Sequence, residues 1–426
     1  MIQARFGAAG TWLIAGITAA CLGAILCLFG LLAAAGLAPF WPSAISELQL
    51  HDGRSLLGEI VREDSASAID PALAIRTSES AHMGSAYQRI RLDQIAARTQ
   101  PADAILIALT DGRRLFARGD AAQETSLLAE AAAPASVLEV LRPNALGFGQ
   151  RCAVFVQHLV RFLATAPAAS NLVGGVLPAL LGTLTLVLLM SLIVMPFGVA
   201  TAIYLHRRRG FGVRFVRTAI NQLAGVPSIV YGVLGLGLFV HGLGAGIDRL
   251  FYSERLPVPT FGSGGLLWAA LTLALLTLPV VVVSVEEGLA RIPASLREGS
   301  LALGATHDET LWRLLLPAAR PALLTGLILA VARAAGAVAP LMLVGVVKLA
   351  PTLPIDGAFP YLHPSRQFMH LGFSIYDAAL ASPDTIRGVP RAYACAGLLV
   401  GVVLLLNLSA ILLRNRLRER YRALET

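Results

Sequence analysis

The sequence predicts an all-α polytopic membrane protein with six transmembrane helices and a small β-rich insertion between the first two. Three observations predict it. The 426-residue chain is 56% hydrophobic, with a mean hydropathy of +0.70. Several apolar runs reach the roughly 20 residues that a spanning helix needs. Two Asp-Gly pairs flanked by alternating apolar residues, typical of β-hairpins, occur between the first two of these runs.

Six segments have the length and composition of a spanning helix. Helices are predicted because backbone groups in lipid must be hydrogen-bonded within the segment. The first is interpreted as an uncleaved span, because its apolar run is much longer than the roughly 7–15 residues of a signal-peptide core. The fifth is interrupted by Arg333 and Pro340. In chain order the segments are Thr11–Leu37, Leu177–Leu205, Ala219–Leu243, Leu266–Val285, Ala322–Val347 and Leu398–Leu413.

Clusters of arginine predict the orientation in the membrane. His206–Arg209 is a short basic loop, and Arg414–Arg422 contains five arginines and one glutamate. Basic loops lie in the cytoplasm, and the four spans between these clusters allow both to do so. Both termini and the polar segment 286–320 then also lie inside. The net charge of +8 is therefore a topology signal and gives no evidence of nucleic-acid binding.

The span positions divide the chain into three parts. Residues 1–41 form an N-terminal transmembrane helix, 42–171 an extracytoplasmic insertion, and 172–426 a core of five transmembrane helices. Within the insertion, Leu48–Gly58 and Ile107–Gly119 repeat one hairpin pattern. This β-rich domain either contacts a binding protein or senses a ligand, or it is an insertion that packs on the outer surface.

Two further segments of the insertion are predicted to be helical. Thr125–Leu141 is rich in Ala, Leu and Glu, although Pro134 interrupts it. Cys152–Ala166 has amphipathic helical spacing and is too short and polar to span, so it is predicted at the membrane interface or leading into the second span.

The sequence contains no P-loop, so this chain is not predicted to hydrolyse ATP. A P-loop requires a lysine after glycine, and the single lysine, Lys348, follows valine. Energy must therefore come from a partner or an ion gradient. The four cysteines have no spacing that suggests a disulfide framework or a metal site, so no cofactor or metal is predicted.

Four residues of the spans are candidates for a substrate path. Arg333 lies near the middle of the fifth span, where a charge costs roughly 2.5–3.5 kcal/mol and usually faces a bundle interior or aqueous path. Its forked donors suit a phosphate-like anion, whereas the structural alternative is bonding to helix carbonyls or an acid. Ser228 and Tyr231 follow a predicted break at Gly225–Pro227. Their hydroxyls either line the pore as hydrogen-bond donors or make ordinary hydrogen bonds between helices. Glu286 is either solvated or pairs with Arg333 or Arg291 in a gate.

The segment between the fourth and fifth spans contains a spaced motif. Glu298 is followed by Gly304, and after nine further residues by Leu314-Leu-Leu-Pro317. This spacing resembles the EAA loop of ABC-importer permeases, with Gly299 and Ser300 in place of the two alanines. The resemblance implies a short cytoplasmic helix that docks on a separate ATPase subunit, with Glu298, Gly304, Ala305, Leu314 and Pro317 in the docking loop. The alternative is a generic amphipathic helix pair broken at Gly304.

Longer stretches make the resemblance more specific. Gly225–Gly232, Glu286–Pro293, Arg297–Ala305 and Leu329–Gly336 resemble phosphate-importer permeases of the PstA type, in the enlarged form with an extra periplasmic domain. The resemblance covers about 174–421. It implies a type I ABC-importer permease fold in the bacterial inner membrane and a transporter subunit that does not itself hydrolyse ATP. It also implies three partners: a PstC-like second permease, a PstB-like ATPase dimer and a PstS-like periplasmic phosphate-binding protein.

Two positions depart from the family pattern. By this resemblance, Arg333 corresponds to an arginine of the family. The family usually has an acidic residue shortly after that arginine, where this chain has Ala337. It also commonly has a basic residue in the fourth span, where this chain has Val283. Both bear on the phosphate path. The alternatives are an ABC permease for another oxyanion, such as sulfate or molybdate, and a membrane sensor with a periplasmic ligand domain. A proton-coupled transporter is disfavoured because the spans have no central carboxylate.

Overall fold

The computed structural model describes residues 8–64, 72–78, 87–110, 112–119, 137–167, 174–382 and 384–422. The chain forms two compact units. The first comprises Met1–Leu177 and Ala378–Ala394, and the second comprises Pro178–Asp377 and Cys395–Thr426.

Within the described residues, the first unit has eight antiparallel strands in two sheets. A five-stranded sheet has the order β4-β3-β2-β1-β5, and a three-stranded sheet has the order β7-β6-β8. The strands are β1 (Ile45–Leu50), β2 (Ser55–Asp64), β3 (Ala72–Thr77), β4 (Tyr87–Arg91), β5 (Ile95–Thr99), β6 (Ala104–Leu109), β7 (Arg114–Arg118) and β8 (Val137–Leu141). The predicted β-rich insertion is therefore present.

Both predicted hairpins are formed. In the first, Gln49 pairs with Ser55 across a turn in which Gly53 has φ +87°. In the second, Ala108 pairs with Arg114 and Gly112 has φ +89°. Glycine adopts this left-handed conformation without the steric cost that other residues incur. Asp111, the other residue of the second predicted Asp-Gly turn, lies outside the described residues.

The helix predicted for Thr125–Leu141 is wrong at its C-terminal end. Val137–Leu141 is strand β8, paired antiparallel to β6 with Ile107 opposite Val140. Residues 125–136 lie outside the described part of the chain. Local composition favoured a helix, but the free edge of β6 supplies hydrogen bonds to an alternating, valine-containing segment, and this tertiary pairing outweighs local propensity.

The first unit also contains helices. Helix α1 spans Ala8–Leu37 and is followed by a 3-10 turn at Ala38–Phe40. Helix α2 spans Phe148–Ala164, which confirms the predicted amphipathic helix and begins it four residues earlier. Phe40 and Phe162 pack with ring centroids 5.0 Å apart. The first turns of the last helix, Thr385–Arg422, belong to this unit, and its remainder belongs to the second.

The second unit is a helical bundle. Its helices are α3 (Leu177–Arg207), α4 (Phe211–Gly225), α5 (Ser228–Phe251), α6 (Leu266–Ala290), α7 (Ala294–Ala302), α8 (His307–Ala318), α9 (Arg320–Ala335), α10 (Ala339–Val344), α11 (Leu371–Ala381, which ends in the first unit) and the greater part of α12 (Thr385–Arg422). Over the described residues, α1, α3, α5, α6 and α12 are long and apolar enough to cross a membrane. Helices α8 and α9, bent by 61°, make a sixth when counted as one broken span.

Two predicted spans have different bounds in the structure. The third was predicted at Ala219–Leu243, but the chain breaks before Pro227, so Ala219–Gly225 belongs to the amphipathic α4 and the span is α5. Proline lacks the backbone N–H that would continue the helix, and the predicted break is confirmed. The fifth was predicted at Ala322–Val347, but α9 ends at Ala335 and a separate α10 follows.

Helix α6 is the centre of the bundle. In its most apolar stretch 67% of the residues are buried, against 33% for α3. It packs on α9 with almost no side chain between them, because a Cβ added at Gly288 would lie 2.2 Å from the Cβ of Ala322. One turn further along, a Cβ added at Gly326 would lie 3.1 Å from the Cβ of Ser284. These small residues bring the two backbones into direct contact.

Candidate functional site

The motif between α6 and α9 begins with an exposed helix that ends in a defined cap. Helix α7 follows Pro293 and carries Glu298 on its exposed surface. At its end, the Gly304 N–H donates to the Leu301 carbonyl at 3.0 Å, and the Ala305 N–H donates to the Ser300 carbonyl at 3.2 Å. Gly304 has φ +88°. This is a Schellman motif, which requires a left-handed residue at this position and explains physically why a glycine stands there.

A second helix starts immediately after the cap. The Thr306 hydroxyl accepts a hydrogen bond from the Glu309 N–H at 3.2 Å, and the Glu309 carboxylate accepts from the Thr306 N–H at 3.0 Å. This capping box fixes the N-terminus of α8. The Ser300 and Thr310 hydroxyls lie 2.9 Å apart, and one donates to the other. Helices α7 and α8 are thus hydrogen-bonded to each other by side chains as well as joined by the chain.

The end of the motif is anchored in the bundle. Leu311, Leu315 and Leu316 are buried in the same apolar core as α6. Leu314 and Pro317, predicted as the terminal pair of the motif, are half-buried. An exposed helix is therefore connected by a short, capped turn to residues that cannot move without the core.

The outer surface of the motif is unusually apolar for an exposed loop. Leu303 is 91% exposed, Trp312 is 65% exposed and Leu296 is 48% exposed. Glu298 lies on the same exposed helix as Leu296. Grouped exposed apolar side chains with a polar neighbour are typical of protein contact surfaces, so the motif can bind another protein.

One ion pair joins this motif to the basic loop at the end of α3, and a second joins α4 to α6. Arg207 at the end of α3 lies 2.7 Å from Asp308 at the start of α8. Arg217 of α4 donates a hydrogen bond to Glu286 near the end of α6. The basic loop and the motif, both predicted to be cytoplasmic, lie at the same end of the second unit.

The predicted partners of Glu286 are wrong. Glu286 pairs with Arg217 and not with Arg333 or Arg291. Arg291 instead lies 3.6 Å from Glu287, one helical turn away. The pairing missed from the sequence joins residues 69 positions apart, and nothing in the local sequence indicates it.

Arg333 lies half-buried near the end of α9. Over the described residues its guanidinium has no hydrogen-bond or ion-pair partner. Ala337, which follows where the family pattern has an acid, packs partly buried against the core. A membrane-embedded arginine without a fixed acid can accept an anion as its counter-charge.

The two candidates on α5 differ in their environment. Tyr231 is 2% exposed, and its hydroxyl donates to the Leu223 carbonyl of α4 at 2.5 Å, so it makes the interhelical hydrogen bond that was the alternative prediction. Ser228, the first residue of α5, is half-buried, and its hydroxyl has no hydrogen-bond partner in the described part of the chain. Two of the predicted path residues, Tyr231 and Glu286, are thus engaged in contacts with α4, to Leu223 and Arg217 respectively.

Sequence reasoning missed two pairs of interacting residues in the motif. Nothing in the sequence indicates the Ser300–Thr310 contact, whereas Thr306 and Glu309 form a recognisable capping-box pair. Within the described ranges, no group of three or more His, Cys, Asp or Glu side chains is arranged to hold a metal ion.

Comparison with known families decides the class of the chain. The family model for the inner membrane component of binding-protein-dependent transport systems matches residues 194–423. The chain belongs to this family. The matched range contains the whole motif between α6 and α9, so the predicted membership of the ABC permeases is confirmed.

Two relatives at 36% and 33% identity are also permeases. The chain is 36% identical over 195 residues to the probable ABC transporter permease protein YqgH of Bacillus subtilis, covering 45% of this chain and 59% of that protein. It is 33% identical over 242 residues to the phosphate transport system permease protein PstA 1 of Mycobacterium tuberculosis, covering 57% and 71%. A solved inward-facing MetNI methionine ABC transporter matches with a TM-score of 0.40 at 20% identity, covering 57% of this chain and 95% of that chain.

Proposed function

We propose that this permease translocates inorganic phosphate across the bacterial inner membrane as one subunit of an ATP-driven importer. The observation that carries the proposal is the motif from Glu298 to Pro317, an exposed helix anchored in the bundle core, together with the similarity to phosphate permeases. The basic loop and this motif both lie in the cytoplasm, and so do the two termini.

The subunit has no ATPase site of its own in this proposal. A PstB-like ATPase dimer docks on the exposed surface formed by Glu298, Leu303 and Trp312. When ATP binding closes the dimer, the motif moves with it and tilts α6 and α9, to which it is anchored. The bundle alternates in this way between outward and inward openings.

Arg333 provides the positive charge on the phosphate path. What supports this role is its half-buried position and the absence of a carboxylate partner among the described residues. A forked guanidinium binds a phosphate oxygen pair. Ser228 and Tyr231 of α5, and Glu286 at the cytoplasmic end of α6, line the same path in this proposal.

The complex requires three kinds of partner besides membrane lipid. A PstC-like permease completes the pathway, a PstB-like ATPase supplies the energy, and a PstS-like periplasmic binding protein delivers phosphate and selects it over other oxyanions.

The test is uptake of labelled phosphate by phosphate-starved cells deleted for this chain. We expect uptake to fall on deletion, to be restored by the wild type and not by Arg333→Ala, and to resist competition by sulfate or molybdate. Arg249→Ala, which removes an exposed arginine of α5 outside the motif with no ion pair among the described residues, serves as the matched control. Undiminished uptake after deletion, in cells without a second importer, would refute the substrate assignment.

A second test addresses the coupling motif. In the purified complex, scrambling Glu298–Gly304 should abolish phosphate-stimulated ATPase activity and leave the basal activity of the isolated ATPase unchanged. Stimulation that persists after the scramble would show that this motif does not transmit the signal.

A further inference from the structure

The charged side of helix α2 is turned toward the protein. Arg161 lies 2.7 Å and His158 lies 3.2 Å from the carboxylate of Glu139, which belongs to strand β8. Arg151, on the same side of the helix, donates a hydrogen bond to the Leu146 carbonyl at 3.2 Å. The charged residues of α2 are therefore used for contacts within the first unit.

The exposed side of α2 is apolar. Val156 is 54% exposed and Val160 is 55% exposed, and Ala153 and Ala164 are exposed as well. These four side chains recur every three or four residues, which places them in one stripe along the helix. The exposed face of a helix on a soluble domain is usually polar. This apolar stripe, Ala153, Val156, Val160 and Ala164, therefore indicates an apolar environment outside the chain.

Aromatic contacts fix the N-terminal half of α2 at one end of α1. The apolar span that contains α1 ends at Phe40, and Trp41 follows it directly. The ring of Trp41 lies 6.3 Å from the ring of Phe148 and 5.9 Å from the ring of Phe155. Tryptophan at the end of a spanning helix lies at the boundary between lipid headgroups and acyl chains. Phe148 and Phe155 bring the first half of α2 to the same depth.

Backbone hydrogen bonds fix the C-terminal end of α2 at the start of α3. The Val176 N–H donates to the Phe162 carbonyl at 2.8 Å, and the Leu177 N–H donates to the Thr165 carbonyl at 3.1 Å. Leu177 is the first residue of α3, the next spanning helix. One span ends and the next begins on the same side of a membrane, so both ends of α2 lie at one membrane surface.

The dimensions and composition of α2 fit this position. Its 17 residues extend about 25 Å, and its charged and apolar side chains lie on opposite sides. Helices of this kind lie in the plane of the membrane surface, with the apolar side sunk shallowly between headgroups and acyl chains. The bilayer thus supplies the apolar environment that the stripe requires, and no further protein is needed.

We propose that α2 is an interfacial membrane helix, which lies in the bilayer surface on the side where α1 ends and buries the apolar stripe among lipid acyl chains. Through Glu139, the charged side of α2 then fastens strand β8, and with it the three-stranded sheet, to the membrane surface. The proposal requires only that α1 and α3 span a membrane, and it is independent of the transported substrate.

The test measures the accessibility of a nitroxide spin label in the full chain, with one copy in each phosphatidylcholine nanodisc. The four native cysteines are replaced by alanine, and one new cysteine carries the label, at Val156→Cys or at Val160→Cys. Leu26→Cys, 63% exposed in the middle of α1, is the control for a label in lipid. Ser55→Cys, exposed in the first hairpin beside the ion pair of Asp52 and Arg54, is the control for a label in water.

Electron paramagnetic resonance gives the collision rate of each label with dissolved oxygen, which concentrates in lipid, and with a neutral nickel chelate, which stays in water. We expect the ratio of the oxygen rate to the nickel rate at Val156 and Val160 to exceed the ratio at Ser55 at least threefold. The two stripe labels should therefore resemble the Leu26 label.

Two outcomes would overturn the proposal. Ratios at Val156 and Val160 equal to that at Ser55 would show that the stripe lies in water. Low collision rates with both reagents would show that protein, such as another part of this chain, covers the stripe. If a valine variant does not fold, Ala153→Cys takes its place, with the same expected ratio and the same contrary outcomes.

Discussion

The Ser300 hydroxyl lies 2.9 Å from the hydroxyl of Thr310, which is 2% exposed. Ser300 stands where the EAA pattern of the family has an alanine. In this chain an exposed helix is therefore held to the buried start of the next one by a side-chain hydrogen bond that an alanine cannot make.

Replacing Ser300 by Ala should loosen α7. The lost hydrogen bond is worth about 1 kcal/mol, which corresponds to about fivefold faster opening. Hydrogen exchange of Ala294–Ala302, followed by mass spectrometry, measures this change. Ser295→Ala, on the same helix and exposed, is the control, and equal exchange in the two variants would contradict the role assigned to the contact.

Gly304→Ala should destabilise the motif, because Gly304 has φ +88° and a left-handed non-glycine residue costs roughly 1–2 kcal/mol. Gly299→Ala should do the opposite, since Gly299 is helical with open space at its Cβ position and Gly-to-Ala in a helix gains about 1 kcal/mol. We expect the midpoints of thermal unfolding to shift in opposite directions. A lowered midpoint for both variants would be inconsistent with the cap geometry.

The Arg217–Glu286 pair should contribute little to stability. The two side chains are 50% and 24% exposed, and pairs of this kind are worth about 0–1 kcal/mol. A double-mutant cycle with Arg217→Gln and Glu286→Gln, read from unfolding midpoints, should give a coupling below about 1 kcal/mol.

The same variants separate two roles of Glu286. If Glu286 acts only through its ion pair with Arg217, then Arg217→Gln and Glu286→Gln should reduce phosphate uptake to the same small extent. A large loss for Glu286→Gln alone would instead assign Glu286 to the substrate path.

Asp356 should make stability depend on acid pH. Hydrogen bonds from Arg366 and from His363, the latter at 2.9 Å, lower the pKa of Asp356 from 3.8 to about 2. A lowered native pKa means that the stabilisation is complete above the unfolded value and disappears as the pH falls toward the native one. The difference in unfolding midpoint between wild type and Asp356→Asn should thus be constant above about pH 5 and decrease below about pH 4.

Glu254→Gln removes an exposed carboxylate that has no ion pair within the described residues and is the control for this titration. A difference between wild type and Asp356→Asn that persists undiminished at acid pH would exclude the Asp356 carboxylate as its source.

Local signals in the sequence predicted much of the fold. Long apolar runs predicted the spans, Asp52-Gly53 predicted a hairpin, and Pro227 predicted the break before α5. Each of these features depends on one short segment, so a single sequence is sufficient to recognise it.

Features that depend on distant residues were missed. Val137–Leu141 became a strand because β6 offered a free edge, and Glu286 found its partner 69 residues away. Neither of these contacts leaves a periodicity or spacing in the sequence, because each is created by the folded chain.

Helices α6 and α9 are fastened to each other at Gly288 and Ala322, close to where the motif between them begins and ends. The motif therefore connects two helices that are already in contact near both of its ends. Because almost no side chain separates their backbones here, the two helices cannot move closer together without a steric clash. We therefore expect a displacement of the motif to move α6 and α9 together. Any side chain at Gly288, or one larger than alanine at position 322, would push the two helices apart.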